Sequence, residues 1–292
     1  MVSELINNPS VANYAVLGNP VKHSKSPQIH MLFAKETGIT LEYKAIEVPN
    51  GEFTSTLIDF AWGRGKGLNI TVPFKENAYK LCTEVTSRAS ESGSVNTIKF
   101  EYATYQPKDQ DNYEIIGDTT DGEGFLNDLR KNYDINLRNK SILILGAGGT
   151  VKSIIARLVP EEIKNIVIVN RTLSRAEELE KKFKNKIDIK SFSYENLPDN
   201  VFDVIINGTS LSLSEKLPPI SKKNIKENTF CYDLMYSDGG TIFTKWAIEN
   251  GASEAVDGLG MLVEQAAESF KFWHGIRPDT KSVIKVLRDS KK

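Results

Sequence analysis

Residues Ser141–Leu158 read SILILGAGGTVKSIIARL. The first five form a continuous apolar run of strand length, the kind buried on both faces of a parallel sheet. The run passes at once through glycines into a helix with apolar periodicity. In a GxGxxG fingerprint the first glycine makes the tight turn, and the second lets the backbone approach a pyrophosphate seated at the helix amino terminus. Gly146 and Gly148 occupy those two places, Ala147 lies between them, Gly149 and Thr150 follow, and Val151 stands at the third fingerprint position. A strand-to-helix turn that binds nothing uses the same glycines, so context decides. A second apolar strand, Ile166–Val169, completes a βαβ unit and favours a dinucleotide site in an α/β fold with a Rossmann-type sheet.

The residues after that second strand choose between dinucleotides. An NAD site places Asp or Glu there for the ribose 2'-hydroxyl, whereas an NADP site avoids that charge and offers cations to the 2'-phosphate. The chain reads NRTLSR: Asn170 stands in place of the acid, Arg171 and Arg175 supply guanidinium forks, and Thr172 adds a hydroxyl. NADP(H) is the expected cofactor. Further on, Asp203–Asn207 reads as a strand ending in NGTS, a turn that could face the nicotinamide half. Thr229–Leu234 reads as the next strand, with Tyr236 and a glycine pair after it. In Met261–Gly275, Leu262, Ala266, Phe270 and Trp273 share a helical face, with Gln265 as the polar exception near it.

Outward towards the amino terminus, Tyr14–Leu17 reads as a strand running into GNPVKHSKSP. Ser26 followed by Pro27 predicts a helix with serine as N-cap and Gly38 as its stop. Leu41–Val48 reads as a strand, Asn50–Gly63 as a helix and Gly67–Pro73 as a third strand, a βαβαβ order that predicts parallel pairing. Within GLNITVPFK, Gly67–Lys75, Leu68, Ile70 and Val72 alternate with Asn69 and Thr71, which predicts a half-buried strand with one polar face. Pro73 stops it, and Lys75 follows at the carboxyl end, where open α/β sheets bind ligands. An edge strand with a solvated lysine has the same pattern. Glu101–Asn112 is polar and loop-like, and GDTTDGEGF at Gly117–Phe125 predicts a hinge and a helix start capped by Asp121.

The 292 residues, 40% of them hydrophobic and 26% charged, suffice for two domains with separate cores. A net charge of -1 gives no general attraction to nucleic acid or an anionic membrane. MVSELINNPS has neither a basic region nor an apolar run, and no stretch approaches a membrane span, so a cytoplasmic protein is expected. Cys82 and Cys231 sit in apolar contexts and read as buried thiols, and His23, His30 and His274 lack metal-ligand spacing.

Taken in order, GNPVKHSKSP, GLNITVPFK, SVNTI, GDTTDG, GAGGT, NRTLSR, DLMY and GMLVEQA resemble the signature segments of the shikimate dehydrogenase family over almost the whole chain. The resemblance implies a substrate domain at 1–120 and 258–292 and an NADP-binding Rossmann domain at 121–257. Carboxyl-terminal helices then return to the first domain. It implies reversible reduction of 3-dehydroshikimate to shikimate by NADPH, in aromatic amino-acid biosynthesis, by a monomer or homodimer. Lys75 and Asp121 correspond to the catalytic pair, an ammonium able to protonate an alkoxide and a carboxylate that holds it. Ser24 and Ser26 correspond to hydroxyls for the substrate carboxylate. Asn69, Thr71, Asn96, Gln265 and Tyr236 correspond to groups at or near its hydroxyls. Thr209, Ser210, Gly258 and Met261 join the cofactor set. The chain departs from the family pattern at Met31, Thr119, Val151 and Ser212, and in the SDGG run after Tyr236. A quinate/shikimate dehydrogenase of looser specificity shares these motifs. So does a silent NADP-binding regulator, although such a module has little need for Lys75, Asp121 and Gln265 together.

Overall fold

The computed structural model describes residues 11–103 and 113–289. The first ten residues, on which the absence of a leader was argued, lie outside that description, as does 104–112 within the polar excursion. The chain divides into two compact units, one built from residues up to Gly124 and from Leu262 onward, the other from Phe125–Met261.

In the first unit, β1 (Ala12–Gly18), α1 (Ser26–Thr37), β2 (Leu41–Glu47), α2 (Phe53–Trp62) and β3 (Gly67–Ile70) follow in the order the periodicity predicts. β1 pairs in parallel with both β2 and β3, as a βαβαβ run requires. Next come α3 (Lys75–Leu81), β4 (Glu84–Val85), α4 (Ser87–Ser92), β5 (Thr97–Tyr102) and β6 (Tyr113–Asp118). β5 runs antiparallel to β3 and to β6, giving the sheet order β2-β1-β3-β5-β6-β4. The core of this unit gathers Leu17, Leu57, Phe60, Leu68, Ile70 and Ile98.

Three local expectations change. β3 ends at Ile70 and all four of its residues are buried, so Asn69 lies inside the unit rather than on a half-exposed face. The cause is the cover over that face, where Ser269 and Tyr43 meet the Asn69 side chain, which the alternation within β3 cannot reveal. α1 begins at Ser26 itself, with Lys25 in the cap position and no side-chain cap. The hydroxyl that receives the Ser26 N–H belongs to Ser24, at 3.3 Å. Asp121 is the first residue of α5 (Asp121–Asn132) rather than its cap, because its carboxylate is occupied elsewhere.

The second unit contains β7 (Ser141–Leu145), α6 (Gly149–Leu158), β8 (Asn165–Val169), α7 (Leu173–Phe183), β9 (Ile189–Phe192), β10 (Val204–Asn207), β11 (Phe230–Asp233), α8 (Ile242–Glu249) and β12 (Glu254–Asp257). α9 (Leu259–His274) and α10 (Thr280–Asp289) complete the chain. The strands pair in parallel throughout, in the order β12-β11-β10-β7-β8-β9. That is the doubly wound dinucleotide-binding order, with its switch point between β7 and β10. The continuous apolar strands are explained by burial on both faces. Ile142 and Ile144 pack into one core with Ile166, Ile168 and Ile206, while Leu143 and Leu145 pack into another with Val167, Val169 and Ile205. No helix among the described residues is long and apolar enough to cross a membrane.

Candidate active site

In the first unit Lys75, Asp121, Asn96, Gln265 and Asn69 converge on one hydrogen-bonded cluster, whereas Ser24, Ser26 and Thr71 bond elsewhere. Pro73 turns the chain out of the sheet after β3, and α3 opens at once with Lys75. Its Nζ donates to Asp121 Oδ2 at 2.5 Å, with only 12% and 5% of the two side chains exposed. The other carboxylate oxygen, Oδ1, accepts from Asn96 Nδ2 at 3.0 Å. Asn96 sits just before β5, where its amide also reaches Thr120 Oγ1 at 2.9 Å and Gln265 Oε1 at 3.1 Å. Its oxygen accepts the Thr120 N–H at 2.8 Å. Gln265 approaches this closely because Gly124 lets α5 touch α9: a Cβ on Gly124 would lie 2.7 Å from the Gln265 nitrogen. A buried ammonium and carboxylate ringed by satisfied neutral amides and hydroxyls are chemically suited to moving a proton while excluding water.

Asn69 joins the same cluster from β3. Its Nδ2 is shared among Ser269 Oγ at 3.0 Å, Thr97 Oγ1 at 3.2 Å and the Asn96 carbonyl at 3.2 Å, and its Oδ1 accepts the Tyr43 hydroxyl at 2.7 Å. Ser269 also pairs with Thr97 at 2.7 Å and with Thr120 at 3.2 Å. Ser24 donates to Ser26 Oγ at 3.2 Å on the loop leading into α1. Thr71 is half-buried just past β3, with its N–H on the Leu17 carbonyl at 2.9 Å. Gly18 makes room for it, since a Cβ there would fall 2.2 Å from the Thr71 methyl. Sequence reasoning missed Tyr43, Thr97, Thr120 and Ser269. Two of them neighbour a predicted residue in sequence, and Ser269 lies one helical turn beyond Gln265, on the same face. Below the cluster, Asp118 takes a fork from Arg88, at 2.7 Å for Nε and through Nη2, which fixes the strand end that leads into Thr119–Asp121. Of the departures here, Thr119 is buried with its N–H on Asp118 Oδ1 at 2.8 Å, and Met31 is exposed on α1.

His30 is buried beside this cluster, stacked on Tyr43 at 4.3 Å with 6° between the rings, and neither ring nitrogen makes a hydrogen bond. Burial lowers its pKa to about 3 from 6.5, the nearby Asn69 amide offsetting part of the effect. The folded state therefore holds the neutral imidazole, and that contribution is complete above pH 6.5 and lost as pH falls towards 3. From pH 7 to pH 5 the loss amounts to about 2 kcal/mol for such a shift. Half-buried His274 acts in the same direction. Chemical denaturation of the wild type and of His30→Phe at the two pH values should show the fall flattened by that amount in the variant. An unchanged fall would assign the pH dependence to other groups.

In the second unit the glycine turn sits at the switch point. Gly146 has φ 106°, a conformation that favours glycine, and its N–H bonds the Val169 carbonyl at 2.7 Å. Gly148 is the extended N-cap of α6, exposed, with open space where a Cβ would stand. Ala147 is buried, and Gly149 and Thr150 open the helix half-buried. Val151 fits the third fingerprint position because Gly208 has no side chain: a Cβ there would meet a Val151 methyl at 2.4 Å. Asn170 turns its amide back to the Thr172 carbonyl at 2.8 Å, leaving Arg171, Thr172 and Arg175 exposed at the end of β8 and the start of α7. An open helix amino terminus followed by cations without an acid fits a phosphorylated dinucleotide.

Past β10, Thr209 bonds Asn207 Oδ1 through its hydroxyl at 2.7 Å, and Ser210 is exposed. Ser212 donates to buried Asp233 at 2.6 Å, beside Thr241 at 2.6 Å. Burial pushes the Asp233 carboxyl above its usual range against these donors. Gly258 is required by contact, since a Cβ would lie 2.4 Å from the Leu234 carbonyl. Met261 is buried in the core, and Tyr236 is half-buried beyond β11. Among the described residues no cluster of three or more His, Cys, Asp or Glu could hold a metal ion.

Three family models match the chain in succession. These are the shikimate dehydrogenase substrate binding domain at residues 16–98, shikimate / quinate 5-dehydrogenase at 128–233, and the shikimate 5'-dehydrogenase C-terminal domain at 258–288. A curated relative, shikimate dehydrogenase (NADP(+)) of Marinobacter nauticus, is 45% identical over 278 residues, covering 94% of this chain and 98% of the relative. The crystal structure of shikimate dehydrogenase from Aquifex aeolicus is 34% identical, with a TM-score of 0.83 over 97% of this chain and 99% of its own. The Thermus thermophilus enzyme, solved with NADP(H) and shikimate, is 28% identical, with a TM-score of 0.81 over 96% of this chain and 100% of its own. With this order of motifs, this sheet topology and relatives matched end to end, the chain belongs to the shikimate dehydrogenase family.

Proposed function

We propose that this protein catalyses the reversible, NADPH-dependent reduction of 3-dehydroshikimate to shikimate. The observation that carries the reading is the buried Lys75–Asp121 pair at 2.5 Å, set in neutral hydrogen-bonding groups. NADPH, when bound, supplies the hydride. The first unit binds the acid and supplies the proton. Lys75 Nζ stabilises the oxyanion that grows on the reduced carbonyl and donates a proton to it, and in the reverse direction takes that proton back. Asp121 holds the ammonium in place, and Asn96 holds Asp121. Ser24 and Ser26 receive the substrate carboxylate. Asn69, Thr71 and Gln265 pair with its hydroxyls, so an analogue lacking one would leave a buried group unpaired. Tyr236 is carried over from its motif as a substrate residue.

The second unit holds the cofactor. Gly146, Ala147, Gly148, Gly149 and Thr150 seat the pyrophosphate, Asn170, Arg171, Thr172 and Arg175 read the 2'-phosphate, and Thr209, Ser210, Gly258 and Met261 serve the nicotinamide side. Cys82 and Cys231 are free, with burial pushing both thiols up to about 12, which suits a reducing compartment such as the cytoplasm. Absorbance of reduced cofactor, followed with shikimate or quinate and with NADP or NAD, tests the reading. Turnover is expected with shikimate and NADP. No cofactor reduction with either acid would sink the enzyme reading, and equal rates with quinate would favour the looser-specificity enzyme.

A further inference from the structure

The sequence offers no reason to single out Tyr43, a strand residue of apolar context, yet its hydroxyl bonds a group assigned above to the substrate. It donates to Asn69 Oδ1 at 2.7 Å, so the phenol proton is committed. Burial raises the phenol well above its usual range, so the proton stays on it. The ring cannot swing away, because His30 stacks on it at 4.3 Å and 6° and Trp273 lies at 6.4 Å on the same aromatic cluster.

The consequence for Asn69 is specific. An amide can face either way, and its donor end here is shared among Ser269, Thr97 and the Asn96 carbonyl. The Asn96 carbonyl only accepts and keeps the amide nitrogen on its side, so the oxygen faces the Tyr43 hydroxyl and takes its proton. Without that proton the oxygen of a side chain only 6% exposed loses the bond that holds its end of the amide.

Resting on the shikimate dehydrogenase reading, we propose that Tyr43 is a positioning residue for substrate affinity: its hydroxyl holds the Asn69 amide in the position that receives the acid. It does not touch the Lys75–Asp121 pair, so it acts on binding in the ground and transition states alike.

Tyr43→Phe removes one oxygen and keeps the stack. Its KM for shikimate should rise about tenfold, the scale of one neutral hydrogen bond with its partner left buried, while kcat stays within about threefold and KM for NADP within about twofold. In a cycle with Asn69→Ala, the double variant should have a shikimate KM no higher than Asn69→Ala alone, because Tyr43 works through that amide. A shikimate KM that does not move overturns the proposal, as does a fall in kcat alone. Additive effects in the cycle, or parallel loss of NADP affinity and thermal stability, overturn it too. The wild type assayed alongside separates the two levels of the reading. No turnover by the wild type ends both, whereas wild-type turnover with an unaltered Tyr43→Phe KM ends only the role of Tyr43.

Discussion

Lys75→Ala is expected to lower kcat about 100-fold or more, the range of lost general acid-base catalysis, with NADP affinity unchanged. The argument starts from placement. Nζ lies 2.5 Å from Asp121 Oδ2 at the amino end of α3, in a site where both side chains are largely withdrawn from water. A lysine held only for stability would be an odd choice there, since desolvation largely cancels the attraction in a buried pair. Removing the ammonium strands the Asp121 carboxylate with Asn96, so some stability is lost as well, and melting temperature and NADP affinity must be measured on the same sample. Asp121→Asn removes the holder instead of the acid and should lower kcat by less. The double variant should be little worse than Lys75→Ala, because residues that act as one unit do not add. Near-normal turnover of Lys75→Ala at saturating shikimate and NADP would show that another group delivers the proton.

How far the sequence reaches depends on the range of the interaction. The second unit was largely legible because its signal is local: SILIL, the glycine turn and the apolar helix lie within one βαβ stretch, and the parallel order follows from it. Of the strands left unassigned, β4 (Glu84–Val85), β9 (Ile189–Phe192) and β12 (Glu254–Asp257) are short and stand at sheet edges, where exposed positions break the apolar run. Lys75, Asn96, Asp121 and Gln265 were found through their motifs, yet nothing in the motifs says that they share hydrogen bonds, since the pairs are separated by up to 169 positions. The polar face of Gly67–Val72 shows the limit most plainly. Alternation placed Asn69 on a polar face, and Ser269 of α9 and Tyr43 of β2 cover that face, which no pattern within the strand announces. The same blindness hid Tyr43, whose hydroxyl meets Asn69 from another strand.

Replacing Arg171 and Arg175 together by alanine should raise KM for NADP about 100-fold while changing KM for NAD little, on the scale of two charge-assisted hydrogen bonds partly screened by water. Local helix energetics make these cations hard to explain without an anion. Arg175 lies in the first turn of α7, which has no acidic residue, and a helix amino terminus disfavours positive charge. Both guanidinium groups are exposed, so they anchor no core, and alanine has the higher helix propensity. The variant should therefore fold at least as well as the wild type while losing the cofactor. A purely structural role predicts the opposite pairing of effects. Asn170 sharpens the contrast, since its amide is turned back on Thr172 and no carboxylate stands in the position that an NAD-preferring site would fill. The salt dependence supplies a further check, because affinity for NADP should fall with ionic strength in the wild type and much less in the double variant. Equal losses for NADP and NAD would mean that the two arginines shape the loop and do not read the 2'-phosphate.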